Sequence, residues 1–139
     1  MILKMKNEED TVRYGKKLAE ELSPGDIVCL VGDLGTGKTA LTKAIAAGLG
    51  ITEPIVSPTF NIVKEYHKGR LPLYHFDVYR VSDPDSLFEI GIDEYFNGDG
   101  VCIVEWADLI ADLIPDGSRL INIYYGENEG ERIYDIDIV

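Results

Sequence analysis

Three glycines and a Lys-Thr pair fall within the octapeptide Gly32-Asp33-Leu34-Gly35-Thr36-Gly37-Lys38-Thr39, between two segments of opposite character. Ahead of it, Ile27-Val28-Cys29-Leu30-Val31 is an apolar run of strand length that reads as a buried strand. Behind it, Ala40 to Leu49 reads as a helix. Strand, glycine-rich turn and helix in that order, with the spacing Gly-x-x-x-x-Gly-Lys-Ser/Thr, is the pattern of a P-loop. An ordinary glycine-rich turn ahead of a helix is the competing reading, and the complete pattern in this context argues against it.

The residue types explain the chemistry. Glycines let the backbone curl so that successive N–H groups of Asp33, Leu34, Gly35, Thr36 and Gly37 point at phosphate oxygens. The helix that follows adds roughly half a positive charge at its N-terminus. Lys38 can reach the β- and γ-phosphates of a nucleoside triphosphate, and the Thr39 hydroxyl can ligate the magnesium ion that bridges them. ATP with Mg2+ is the expected ligand.

A chain of 139 residues supports one well-buried core and is too short for two ordinary domains, so residues 1–139 are expected to form a single domain. The formal net charge of −12 argues against a broad direct grip on DNA or tRNA, whose affinity comes from neutralising phosphates. A solvated acidic surface and a basic-faced protein partner both remain compatible with that charge. Cys29 and Cys102 lie in apolar runs and read as core thiols rather than a disulfide. His67 and His75 are the only histidines, and neither Cys-x-x-Cys nor His-Glu-x-x-His spacing occurs, which disfavours structural zinc. No signal-peptide core or membrane-length apolar run is present, so the expected location is cytoplasmic.

Along the chain, a short N-terminal strand precedes polar caps at Asn7 to Asp10 and a helix with the apolar face Val12, Leu18, Ala19 and Leu22. Asn61 to Tyr66 and Leu71 to Phe76, joined at His67-Lys68-Gly69-Arg70, predict a hairpin inserted beside the nucleotide core. Short helices are expected after Ser82-Asp83-Pro84, over Asp93 to Phe96 and over Leu109 to Ile114. Val101 to Val104 is a second buried strand, and Arg119 to Tyr125 with Arg132 to Ile138 form a C-terminal hairpin. In its last strand Ile136 and Ile138 alternate with Asp135 and Asp137, predicting one buried face and one wet face. The whole predicts an α/β P-loop domain, a mixed sheet with a parallel core and antiparallel edges flanked by helices.

A P-loop also needs a carboxylate at the end of a neighbouring strand. Val101 to Val104 runs into Glu105, and Leu71 to Phe76 runs into Asp77. Trp106 follows Glu105 and either packs near the phosphates or fills a rim or core position. Ser57-Pro58-Thr59-Phe60 either brings Thr59 towards the γ-phosphate or is simply a proline-restricted loop. No Asn-Lys-x-Asp segment supports guanine recognition, and no arginine-rich lid supports a nucleotide kinase. Arg80 can be a cis arginine finger or a surface arginine, and nothing else suggests a complete set of groups for fast phosphoryl transfer.

The ordered blocks Gly32 to Thr39, Ser57-Pro58-Thr59-Phe60, His75-Phe76-Asp77-Val78-Tyr79-Arg80, Glu89-Ile90-Gly91-Ile92-Asp93-Glu94-Tyr95 and Val104-Glu105-Trp106-Ala107 strongly resemble the TsaE (YjeE) family. These are small bacterial P-loop ATPases of tRNA threonylcarbamoyladenosine biosynthesis. The resemblance implies ATP binding, weak intrinsic hydrolysis, and action with a TsaD-TsaB-like transferase pair that contacts the tRNA. It also implies catalytic roles for Lys38, Asp77 and Glu105, with Thr39 and Glu105 at the magnesium and Asp77 serving the ATPase cycle. Trp106 matches the family's tryptophan, and Thr11 and Arg132 match positions bordering the adenine. Ala107 departs from the proline of many relatives, which is expected only to loosen the turn after Trp106. A small-molecule kinase and a nonhydrolytic nucleotide-dependent adaptor are the alternatives.

Overall fold

The computed structural model describes residues 1–58 and 60–139. Its elements are β1 (Ile2–Met5), α1 (Glu8–Glu21), β2 (Ile27–Val31), α2 (Lys38–Gly48), β3 (Val63–Tyr66), β4 (Leu73–Asp77), α3 (Ile92–Phe96), β5 (Val101–Glu105), β6 (Arg119–Tyr125) and β7 (Arg132–Ile138). Two 3-10 helices, Pro84–Ile90 and Ala107–Leu113, complete it. The seven strands form one sheet in the order β1-β7-β6-β2-β5-β4-β3. Strands β6, β2, β5 and β4 run parallel, and β1, β7 and β3 are added antiparallel. This is the expected mixed sheet with a parallel core and antiparallel edges.

Alternation along the strands explains why the central runs are apolar throughout. Val28, Leu30, Leu73, Val101, Ile103 and Ile121 face α1 and α2, where Leu18, Leu22, Leu41, Ile45 and Leu49 close the first core. Their neighbours Ile27, Cys29, Phe76, Cys102 and Val104 face Leu87, Ile92, Phe96 and Ile110 of the short helices. A parallel sheet covered on both faces needs apolar residues at every position, each worth roughly 1.5–3 kcal/mol when a large side chain is buried. Cys29 and Cys102 are both buried free thiols in the second core. Burial pushes each up to about 12.

Helices α1 and α2 press together closely enough to require glycine. A Cβ on Gly15 would stand 2.4 Å from the Ala44 Cβ. The buried stripe of α1 is therefore Thr11, Gly15, Leu18 and Ala19, continuing to Leu22, whereas Val12 lies beside it and is 41% exposed. The expectation that Val12 belongs to the apolar face fails because Gly15 at the helix contact sets the rotation.

Four further boundaries differ from expectation. Helix α2 starts at Lys38, inside the glycine-rich motif, because Gly37 occupies the left-handed region at φ 99 and serves as its N-cap. The β3–β4 pair is not an insertion, since β4 is a strand of the parallel core beside β5 and only β3 stands outside it. The segment expected as a helix from Leu109 is 3-10 and begins at Ala107. In β7 it is Tyr134 that is buried, under α1, while Ile138 projects past the covering helices and is 58% exposed.

Candidate active site

Three adjacent parallel strands end together. Leu30 of β2 is in register with Glu105 of β5, and Glu105 is in register with Asp77 of β4. The loop leaving β2 is the octapeptide, so both acids arrive beside it at the carboxyl ends of the strands, where open α/β sheets hold ligands. Lys38, Thr39, Asp77, Glu105 and Trp106 line one cleft of about 540 Å3, with Leu34, Gly35, Gly37, Ser57, Tyr79 and Arg80.

Glu105 forms the floor. It is buried, with its carboxylate accepting from the Thr39 Oγ1 at 3.0 Å, from the Thr42 Oγ1 at 3.3 Å, and from His75 Nε2. A carboxylate can only accept, so the Nε2 nitrogen of His75 carries the hydrogen. His75 is fully buried, and its Nδ1 has no hydrogen-bond partner among the described residues. Sequence reasoning gave no site role to Thr42 or His75. The signal was periodicity: Thr42 follows Thr39 by three residues on a helix, and His75 precedes Asp77 by two on a strand.

Asp77 is held differently. Its carboxylate accepts from Ser57 Oγ at 2.9 Å and from the Tyr79 backbone N–H at 3.0 Å. The Ser57 to Phe60 loop thus does approach the site, through Ser57. Thr59 lies outside the described residues. Arg80 is exposed on the cleft wall with its guanidinium 5.4 Å from the Phe60 ring centre.

Lys38 Nζ donates to the Gly32 carbonyl at 2.6 Å and the Asp33 carbonyl at 2.9 Å, and sits 4.0 Å from the Trp106 ring centre. Burial lowers its pKa from the ordinary 10.5, while Glu105 and then Asp77 pull the other way. Trp106 therefore packs in the cleft between Lys38 and Tyr79, its ring centre 4.6 Å from that of Tyr79. Its backbone is left-handed at φ 63 and is tied by its N–H to the Leu30 carbonyl at 3.0 Å. Ala107, the departure from proline, is buried as the first residue of the following 3-10 helix.

The remaining loop residues are fixed by their backbones. Thr36 is buried with its hydroxyl on the Asp33 carbonyl at 2.8 Å, and Leu34 is exposed with its carbonyl accepting from Tyr125 Oη at 2.9 Å. Thr11 and Arg132 do not line this cleft. Thr11 is on the buried face of α1 against the Tyr134 hydroxyl at 3.2 Å, and Arg132 donates to the Thr36 carbonyl at 2.9 Å.

The donor set at the floor is oxygen only: a threonine hydroxyl and a carboxylate, suited to a hard cation such as magnesium that keeps several other oxygen ligands. Among the described residues no cluster of three or more histidine, cysteine or acidic side chains could hold a metal by itself. The arrangement fits an ion brought with a phosphate rather than a caged one. No helix of the described residues is long and apolar enough to cross a membrane.

A family model described as threonylcarbamoyl adenosine biosynthesis protein TsaE matches residues 5–134. The Bacillus subtilis tRNA threonylcarbamoyladenosine biosynthesis protein TsaE is 54% identical over 126 residues, spanning 91% of this chain and 78% of that protein. Its Treponema pallidum namesake is 44% identical over 115 residues, spanning 83% and 84%. A crystal structure of Bacillus subtilis YdiB matches 100% of this chain and 85% of its own with a TM-score of 0.86 at 43% identity. The match extends from the first strand through the P-loop, both strand-end acids and into the last strand, and the chain belongs to the TsaE family.

Proposed function

We propose that this chain is the ATP-binding, slowly hydrolysing subunit of tRNA threonylcarbamoyladenosine formation, acting with a TsaD-TsaB-like transferase pair in the cytoplasm. The observation that carries the reading is the Thr39–Glu105 contact at 3.0 Å in the cleft that Lys38 also lines. Bound there, magnesium would neutralise the negative charge of the phosphates. Thr39 and Glu105 would hold it, with His75 and Thr42 fixing the carboxylate's orientation. The loop N–H groups and Lys38 hold the phosphates, and Asp77, steadied by Ser57, orients the attacking water.

Slow turnover alone follows from what the cleft wall carries. Arg80 is its one arginine, and it is exposed and turned onto Phe60. A partner can supply the missing transition-state charge or press the Ser57 loop inward. The net charge of −12 supports tRNA contact through the partners rather than through this chain. The test is reconstitution: ATP, tRNA and the transferase pair with and without this chain, following phosphate release and modified tRNA. Both should rise when it is added, with ADP and free phosphate as products. Phosphate transferred to an acceptor hydroxyl would point instead to a kinase, and full modification by a Lys38→Ala chain would point to a nonhydrolytic adaptor.

A further inference from the structure

The outer surface of the glycine-rich loop is gripped by the hairpin of β6 and β7. Tyr125, the last residue of β6, donates its hydroxyl to the Leu34 carbonyl at 2.9 Å. Arg132, the first residue of β7, donates Nε to the Thr36 carbonyl at 2.9 Å and Nη2 to the Gly35 carbonyl at 3.4 Å. Three consecutive carbonyls are thereby held from one side. The two side chains also brace each other, the guanidinium lying 4.8 Å from the Tyr125 ring centre. Arg132 is further fixed by a bond from Nη1 to the Glu131 carbonyl at 2.9 Å, and Tyr125 and Arg132 are themselves cross-strand partners.

Peptide planarity turns this grip into a statement about the loop's inner surface. In a trans peptide the C=O of one residue and the N–H of the next point in opposite directions. Holding the carbonyls of Leu34 and Thr36 outward therefore aims the N–H groups of Gly35 and Gly37 the other way, while the Thr36 N–H is engaged inside the loop by the Asp33 carbonyl at 3.2 Å. Glycine at 35 and 37 leaves those planes freer to rotate than any other residue would, so contacts from outside the loop add to the bonds within it in setting their orientation. Anion cups of this kind work through donors already aimed before the ligand arrives, because ordering them afterwards costs affinity.

We infer that Tyr125 and Arg132 are positioning residues that strap the P-loop from outside and pre-aim its N–H groups for phosphate. The inference rests on the nucleotide reading for its ligand, but the strap itself is a property of the free protein. It also gives Arg132 a role through the loop backbone, in place of contact with a base.

The decisive measurement is amide 15N relaxation on the free protein, with ATP affinity by calorimetry alongside, for wild type, Tyr125→Phe, Arg132→Gln and Arg132→Lys. Tyr125 is 54% exposed, so Tyr125→Phe removes one hydroxyl without disturbing the core. In wild type the Gly35 and Gly37 N–H vectors should be rigid, with order parameters of about 0.85, falling towards about 0.6 in Tyr125→Phe and Arg132→Gln. ATP affinity should drop roughly three- to tenfold in Tyr125→Phe and further in Arg132→Gln, with melting temperature and magnesium dependence unchanged in Tyr125→Phe. Arg132→Lys keeps the charge but not the fork, and should resemble Arg132→Gln in its order parameters.

Order parameters that stay at wild-type values in both Tyr125→Phe and Arg132→Gln overturn the strap. An affinity loss without loop loosening means direct ligand contact, and loosening without an affinity loss means the strap does not serve binding. Each outcome overturns the inference. If wild type binds no nucleotide, the functional reading fails by itself, and the order parameters still decide whether the strap exists.

Discussion

Asp77 and Glu105 are direct register partners on neighbouring parallel strands, yet among the described residues their carboxylates share no hydrogen-bond partner. Glu105 is engaged from α2 and β4 by Thr39, Thr42 and His75, whereas Asp77 is engaged from the loops on either side by Ser57 and Tyr79. One acid is fixed from the interior and the other from the rim, which matches the proposed division between metal holding and water handling.

That division predicts two different phenotypes. Glu105→Gln should shift the magnesium requirement for ATP binding and hydrolysis to higher concentration. Asp77→Asn should leave ATP affinity within a few-fold of wild type and cut partner-stimulated turnover by roughly 100-fold or more. Calorimetry at graded magnesium and a phosphate-release assay check both; identical effects of the two substitutions would contradict the division.

The Lys38 ammonium over Trp106 makes the single tryptophan a reporter of the lysine. ATP with magnesium should draw the ammonium towards the phosphates and change the emission. Lys38→Ala should alter the emission of the free protein, weaken ATP binding about tenfold to a hundredfold, and abolish the nucleotide-induced change. A wild-type titration curve from the Lys38→Ala protein would refute the coupling.

Removing the buried donor to Glu105 should cost stability as well as function. His75→Leu leaves a buried carboxylate short of one partner, and chemical denaturation should show a loss of about 1–3 kcal/mol. His75→Gln, which can keep an N–H near the same place, should recover part of that loss.

Glu131 at the C-terminal hairpin gives the fold an acid-sensitive point. Its carboxylate accepts from the Asn128 side chain at 3.1 Å and the Glu127 N–H at 3.1 Å and lies 3.5 Å from Lys4 Nζ. The Asn128 bond first, then the Glu127 N–H and Lys4, lower its pKa below the ordinary 4.5 against the opposing effect of burial. A lowered carboxyl pKa contributes stability that is complete above 4.5 and is lost as pH falls through the folded value. Thermal melts between about pH 6 and about pH 3 should therefore fall less steeply for Glu131→Gln than for wild type.

The P-loop, both strand-end acids and the central strands were legible because each is a local pattern: a spacing, or an apolar run closed by a carboxylate. Helix rotation was less so. Val12 looks as apolar as any neighbour, and only the contact of Gly15 with Ala44 reveals that the stripe runs elsewhere. The supports of the site were least legible. His75, Thr42, Tyr125 and Arg132 act through atoms 30 to 97 residues away in sequence. The local periods that put Thr42 on the face of Thr39 and His75 on the face of Asp77 say nothing of partners that far along the chain.

The hairpin's hold on the loop also has a temporal meaning. Leu34 and Tyr125 are 91 residues apart and Thr36 and Arg132 are 96 apart, so the octapeptide leaves the ribosome long before the side chains that brace it. Contacts of such separation are closed late, after the entropy of a long loop has been overcome. A nascent chain that ends before β6 carries the full phosphate-binding sequence without its finished shape. On the proposed reading, competence to capture a nucleotide is then acquired with the last strands, as a signature of completed folding rather than of the motif.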